Sequence, residues 1–195
     1  ICQDQFGYLW IGTETGLSRF DGINFVNFST DDGLPDNEID KLFIDETNVL
    51  WVATPKGLAR FDHQRFVSFP FSGSLTVEYN INDICEFKQQ IYLAADEGLL
   101  RFENDTFLLV TNGNETANTI RTICNSGDSL LICGSKNGLY KFENNAYLKF
   151  GKPSIDTVNI SDIFLRNDEL IISTYGFGVL SYNIKTRTDS AYSSS

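Results

Sequence analysis

The chain has 195 residues, of which 42% are hydrophobic, 21% charged and 13% aromatic, enough to fill one packed core and too apolar for a disordered segment. A formal charge of −11 with no Lys/Arg cluster repels phosphate backbones and excludes nucleic acid as a partner class. No apolar run approaches the roughly 18 residues that span a bilayer, no signal-like segment opens the chain, and Met is absent, so an excerpt whose membrane contact and targeting lie elsewhere in a longer protein is expected.

The first forty residues contain a phrase, "LWIGTETGLSRFDG" at 9–22, that returns as "LWVATPKGLARFDH" at 50–63. Anchored on its glycine, the phrase recurs at Gly16, Gly57, Gly98, Gly138 and Gly178, in steps of 41, 41, 40 and 40. The units run 1–38, 39–80, 81–119, 120–159 and 160–195.

Within the second unit, four short strands are predicted at about Ile39–Asp45, Val49–Thr54, Leu58–Asp62 and Arg65–Phe69, joined by turns rich in Asn, Asp, Gly and Lys. The second strand, "LWVAT" here and "LWIGT" in the first unit, is apolar on both faces, which requires cover from both sides. The glycine after it suits a turn with positive φ, and Gly12, Ala53, Ala94 and Gly134 keep one strand position small for close sheet packing.

The later units lose the wording and keep the columns. An aromatic follows each glycine by four (Phe20, Phe61, Phe102, Phe142, Tyr182), and a large apolar residue precedes it by six (Trp10, Trp51, Tyr92, Ile132, Ile172). A further aromatic column runs through Phe25, Phe66, Phe107 and Tyr147 and a large apolar one through Phe28, Phe69, Val110 and Phe150, and an isoleucine (Ile39, Ile81, Ile120, Ile160) opens units two to five. Four strands every forty residues is the period of a β-propeller blade. The fold class is therefore all-β, a single propeller domain of four-stranded antiparallel blades, with five blades closing on themselves or forming an arc of a larger ring.

The wording of the first two units, "QD..G.LWIGT..GL.RFDG" followed by "DGLPDNEI" at 32–39, resembles the two-component regulator propeller repeat. The resemblance covers the whole chain and is specific in its first third, through Asp4, Gly7, Trp10, Gly12, Thr13, Gly16, Arg19, Phe20 and Asp21. It implies the periplasmic sensor region of a hybrid histidine kinase from gut bacteria, part of a larger ring, which senses oligosaccharides near the propeller's loop face or within a homodimer.

The chemistry-bearing residues argue for binding and against catalysis. The sole histidine, His63, falls in a turn, and there is neither a metal-spaced cysteine pair nor a phosphate loop, so no metal, cofactor, triad or kinase chemistry is expected within the segment. Asp4 reads as a turn brace for Trp10, and Cys2, Cys85 and Cys124 alternate with Phe43 and Phe164 in one column, as small buried apolar groups do. Arg19, Arg60, Arg101 and Lys141 form a basic column suited to ion pairs. A sugar needs an aromatic platform and convergent polar groups, which the loops of one face offer as Tyr79, Asn82, Asp83, Arg121, Tyr175 and Phe177. The alternatives are a propeller enzyme, a glycoside hydrolase or a lyase, and a protein-interaction scaffold.

Overall fold

The structure, a computed structural model, describes residues 1–71, 79–110, 119–127, 129–143, 146–151, 155 and 157–192, less the side chains of Tyr147, Ala191 and Tyr192. Tyr147, expected in an aromatic column, thus lies outside the described side chains. Among the described residues, consecutive strands build five four-stranded antiparallel sheets. The first holds β1 (Cys2–Gln3), β2 (Leu9–Thr13), β3 (Gly16–Phe20) and β4 (Phe25–Phe28). The second holds β5 (Lys41–Ile44), β6 (Leu50–Thr54), β7 (Gly57–Phe61) and β8 (Phe66–Pro70), each within two residues of its predicted bounds. The third comprises β9 (Ile81–Phe87), β10 (Gln90–Ala95), β11 (Gly98–Glu103) and β12 (Thr106–Val110). The fourth comprises β13 (Ile120–Asn125), β14 (Leu131–Ser135), β15 (Gly138–Glu143) and β16 (Ala146–Lys149), and the fifth β17 (Ile160–Arg166), β18 (Glu169–Thr174), β19 (Gly178–Asn183) and β20 (Thr188–Tyr192).

The first strand of each sheet lies beside the first strand of the next, β1 on β5, β5 on β9, β9 on β13 and β13 on β17, which is the stacking of propeller blades around an axis. Apolar clusters fill the four interfaces: Trp10 and Val52 between sheets one and two, Trp51 and Leu93 between two and three, Tyr92 and Cys133 between three and four, Ile132 and Ile172 between four and five. No cluster among the described residues joins sheet five to sheet one, so the five blades form an arc. β6 explains the two-faced apolar phrase: Leu50 and Val52 pack against sheet one while Trp51 and Ala53 pack against sheet three, and all five of its residues are buried.

The small column seats the isoleucine that opens the following blade. A Cβ added to Gly12 would stand 2.5 Å from Ile39 Cγ2, and one on Gly134 would stand 2.8 Å from Ile160 Cγ2. The hairpin glycine is needed at Gly57 for two reasons at once, a φ of +157° and the Phe69 carbonyl 2.5 Å from any Cβ. Thr54 Oγ1 donates to the Gly57 carbonyl at 2.9 Å and so locks that hairpin, and Thr13, Ser135 and Thr174 do the same in their own sheets.

The "DGLPDNEI" phrase is a structural link. Ser29 and Asp32 cap a single 3-10 turn (Thr30–Asp32) reciprocally, Gly33 ends it with φ +98° against the Phe66 carbonyl, and Leu34 is buried between sheets one and two. Asn37 Oδ1 accepts the Thr30 N–H at 2.9 Å, which fixes the return toward β5.

One column needs correction in the fifth blade. Trp10, Trp51, Tyr92 and Ile132 pair with Arg19, Arg60, Arg101 and Lys141, but the equivalent position, Ser181, pairs with Ile171 and not with Ile172. The cause is an extra residue: Tyr175, Gly176 and Phe177 span the β18–β19 hairpin, where sheets one to four use two residues. Ile172 therefore points into the interface with sheet four, and Ile171 faces outward.

Both ends of the arc leave blade faces uncovered. Phe164 (64% exposed), Ile171 and Val179 occupy the positions of Cys124, Ile132 and Leu139, which sheet five covers in sheet four. On sheet one, Phe25 is exposed and stacks on Phe20 at 4.5 Å, whereas their counterparts Phe66 and Phe61 are buried.

Candidate functional site

The second hairpin of every blade lies at the same end of its sheet as the start of the first strand, and this end of the arc is the loop face. The first strand of blades three to five carries a bulge there, opposite Ala94/Ala95, at Ile120/Thr122 and at Ile160/Asp162, and a bulge re-aims the extra side chain. Asn82 and Arg121 are two of these bulged residues.

The structure uses three of the six predicted residues for construction. Tyr79 is 2% exposed and packs on Phe71 with centroids 4.8 Å apart, so it belongs to the core between sheets two and three and offers no platform at the surface. Asn82 Nδ2 donates to Asp96 Oδ1 and to the Ile120 carbonyl, each at 3.0 Å, tying sheet three to sheet four. Asp83 Oδ2 accepts the Ile123 N–H and the Thr122 hydroxyl, both at 3.0 Å, and Asp83 Oδ1 accepts the Ile84 N–H. Two of the other three meet: the Arg121 guanidinium lies 4.9 Å over the Tyr175 ring and its Nε is buried without a hydrogen-bond acceptor among the described residues, while Tyr175 and Phe177, in the same hairpin, are both exposed.

Carboxylates near the axis are perturbed. Burial, aided by the charges of Glu38 and Asp36, pushes Asp40 up to about 6 against the opposing Ile81 N–H, and one of its oxygens, Oδ2, is buried with no partner among the described residues. Burial also raises Asp83, against the Ile123 N–H and the Lys41 charge. Thr122 Oγ1 lies 3.0 Å from both Asp83 Oδ2 and Asp162 Oδ1, and its one proton serves a single carboxylate at a time. A raised folded-state value means that Asp40 contributes stability below its unfolded value of about 4 and loses that contribution as pH rises through about 6. Asp40→Asn is thus expected to match the native chain near pH 4 and to exceed it by about 1 kcal/mol at pH 7, a value discounted for the half-exposed carboxyl. Urea unfolding across that range checks it, and a difference independent of pH contradicts it.

On the opposite face, a cleft of about 360 Å³ opens between sheets one and two. Its floor is the turn brace expected of Asp4: Oδ1 accepts the Phe6 and Tyr8 N–H groups and Oδ2 accepts Trp10 Nε1 at 2.9 Å. Asp45 repeats the device with Thr47, Val49 and Trp51 Nε1 in the next blade. Phe6, Tyr8 and Phe61 line the walls. His63 is the exposed turn residue expected, with φ +72°, but its ring also meets Phe6 and Phe61 edge-on at 6.5 and 6.1 Å. Arg19 lies over Tyr8 at 4.7 Å and Arg60 over Trp51 at 5.9 Å, and among the described residues Arg101 and Lys141 of the basic column form the expected ion pairs, with Glu103 and Glu143. Sequence reasoning missed this cleft, although a comparison of units one and two away from their shared columns carries the signal.

The four cysteines are free, and burial pushes the Cys2 and Cys124 thiols up to about 11 and about 12, so neither is a ready nucleophile. Among the described residues no group of three His, Cys, Asp or Glu side chains could hold a metal ion, and no helix is long and apolar enough to cross a membrane.

No protein-family model matches the chain, and no curated protein does. Solved structures do. The extracellular domain of a putative hybrid two-component system from B. thetaiotaomicron aligns over 97% of this chain and 29% of its own, with a TM-score of 0.76 at 22% identity. A second such domain from that organism aligns over 88% and 25%, with a TM-score of 0.71 at 23% identity. A catalytically inactive virginiamycin B lyase from Staphylococcus aureus, solved with quinupristin, aligns over 98% and 68%, with a TM-score of 0.77 at 12% identity. The chain spans a quarter to three tenths of the two-component domains, and what it shares with all three is the fold, a five-blade arc of a β-propeller.

Proposed function

We propose that the chain is a non-catalytic, ligand-binding segment of the extracytoplasmic sensor of a hybrid two-component system, periplasmic, with an oligosaccharide as its ligand on the loop face. The observation that carries this reading is the fold shared with two extracellular domains of such systems over 88% and 97% of the chain. The wording of the first two repeats supports the same reading. Arg121, Tyr175 and Phe177 supply the residues: a guanidinium stacked on a ring, beside an exposed ring, is the amphipathic surface that a sugar's C–H face and hydroxyls match. The enzyme alternative draws its support from the lyase of like fold.

Titrating the purified chain calorimetrically with a panel of neutral and acidic oligosaccharides, while assaying product release, separates the readings. Binding without turnover, weakened about tenfold by Tyr175→Ala through loss of the cation–π contact, is expected. Turnover assigns the chain to the enzymes, and silence in both channels with capture of a protein partner assigns it to scaffolds.

A further inference from the structure

We propose that the cleft between blades one and two, on the face opposite the loop face, is a second ligand site and that it takes the carboxylate of an acidic sugar ring, a hexuronate. The brace of Asp4 on Trp10 recurs as Asp45 on Trp51, so both blades are built the same way there. Around the second brace the positions of Phe6, Tyr8 and His63 are held by Thr47, Val49 and Asn104. At these positions three aromatic rings gather where blades one and two meet and none does around the second brace, and Phe6 keeps 63% of its surface exposed there. Construction of the blade leaves them without employment.

The polar groups of the cleft point to the charge of its occupant. The Arg19 guanidinium carries several N–H donors and contacts only rings, Tyr8 at 4.7 Å, Trp10 at 5.5 Å and Phe28 at 6.0 Å, with no carboxylate partner among the described residues. Asn48 spends its Oδ1 on the Gln5 N–H at 3.0 Å, and its amide donors meet no acceptor among the described residues. The single carboxylate in the lining, Asp4, has both oxygens occupied by the Phe6, Tyr8 and Trp10 N–H groups. The cleft therefore offers donors and rings and little free acceptor capacity, and its complement is an anion carried on a compact ring. A guanidinium is the group that binds a carboxylate in two-pronged fashion, and about 360 Å³ falls at the lower end of small-molecule clefts, which suits one terminal ring. In a chain of net charge −11, an unpaired arginine among rings acts as a selective feature and not as part of a general anion attractor.

This proposal stands apart from the loop-face reading, and the test keeps the two separate. The intact chain is titrated with trigalacturonate, with a glucuronate trimer and with neutral galactotriose, as native protein and as Arg19→Gln, Asn48→Asp and Arg121→Gln, with thermal melts confirming folding. At least one acidic trimer is expected to bind, about tenfold or more weaker in Arg19→Gln and unchanged in Arg121→Gln. Should Arg19→Gln fail to fold, Asn48→Asp carries the test: it keeps the acceptor for Gln5 and tolerates the φ of +63° while placing a negative charge in the cleft, and it is expected to weaken the acidic trimers by a like factor. Acidic and neutral trimers binding alike, indifference to both cleft variants, or silence from both acidic trimers overturns the proposal. Acidic-trimer binding that only Arg121→Gln weakens overturns it too, and leaves the loop-face reading standing.

Discussion

Trp51→Ala is expected to lower the free energy of unfolding by about 3–5 kcal/mol, a large share of the about 5–15 kcal/mol that a domain possesses. Trp51 stands in the middle strand of the second blade, 6% exposed, edge-on to Phe102 at 5.6 Å, with Phe69 at 6.4 Å. Removing it empties the interface between blades two and three, and the strands on either side cannot collapse into the gap without breaking their own ladders. It also strands the Asp45 carboxylate, whose Oδ2 accepts the indole N–H at 2.8 Å. Asp45→Asn separates the two contributions. An amide nitrogen turned toward Trp51 Nε1 would oppose donor to donor, and one turned the other way would confront the Thr47 and Val49 N–H groups, so a loss of about 1–3 kcal/mol is expected with the ring still in place. Urea midpoints at constant slope read both values. A Trp51→Ala chain within 1 kcal/mol of the native one, as an order-of-magnitude bound, would show that the interface is not held by this ring.

The second large effect concerns the ends of the arc. The purified chain is expected to self-associate through its bare blade faces, because Phe164, Ile171 and Val179 present, without cover, the surface that in blade four is packed against blade five. Phe25, exposed at the other end, offers a matching apolar surface on blade one. Introducing charge with Phe164→Lys and Val179→Lys is expected to shift sedimentation at about 100 μM from assemblies to monomer, since burying an unpaired ammonium costs several kcal/mol. Both side chains lie on the uncovered face, so the melting temperature should change little. Native chain that sediments as a monomer at that concentration would contradict the idea.

Much of this architecture is legible in the residues themselves. Gly16, Gly57, Gly98, Gly138 and Gly178 mark the period because a left-handed turn recurs in each blade, and the turn tolerates few other residues. Trp10 and Trp51 announce a two-faced middle strand because only blades on both sides can cover it. What escaped reading was register. The extra residue in the Tyr175–Phe177 hairpin moved the fifth blade's column from Ile172 to Ile171, and spacing from a glycine cannot reveal on which side of the turn a residue has been added. Tyr79 looked available because it stands in a link, and links are polar as a rule, yet its own ring fills the interface between sheets two and three. The cleft was hidden for another reason: Tyr8 and Arg19 come from one unit, Asn48 and His63 from the next, and the columns that define a repeat draw attention away from positions where units differ.

Among the described residues each sheet is assembled from strands that follow one another in the chain, with none borrowed from another unit. Ring closure by a strand from the far terminus, the usual latch of such folds, plays no part within these residues. The entropy of bringing partners together is therefore spent in small hairpin loops, and a ribosome delivering the chain from its amino end releases each blade with all its hydrogen-bonding partners already present. Such a fold has low topological complexity for an all-β protein, so its biogenesis is governed by the docking of finished blades and not by a search for distant strands.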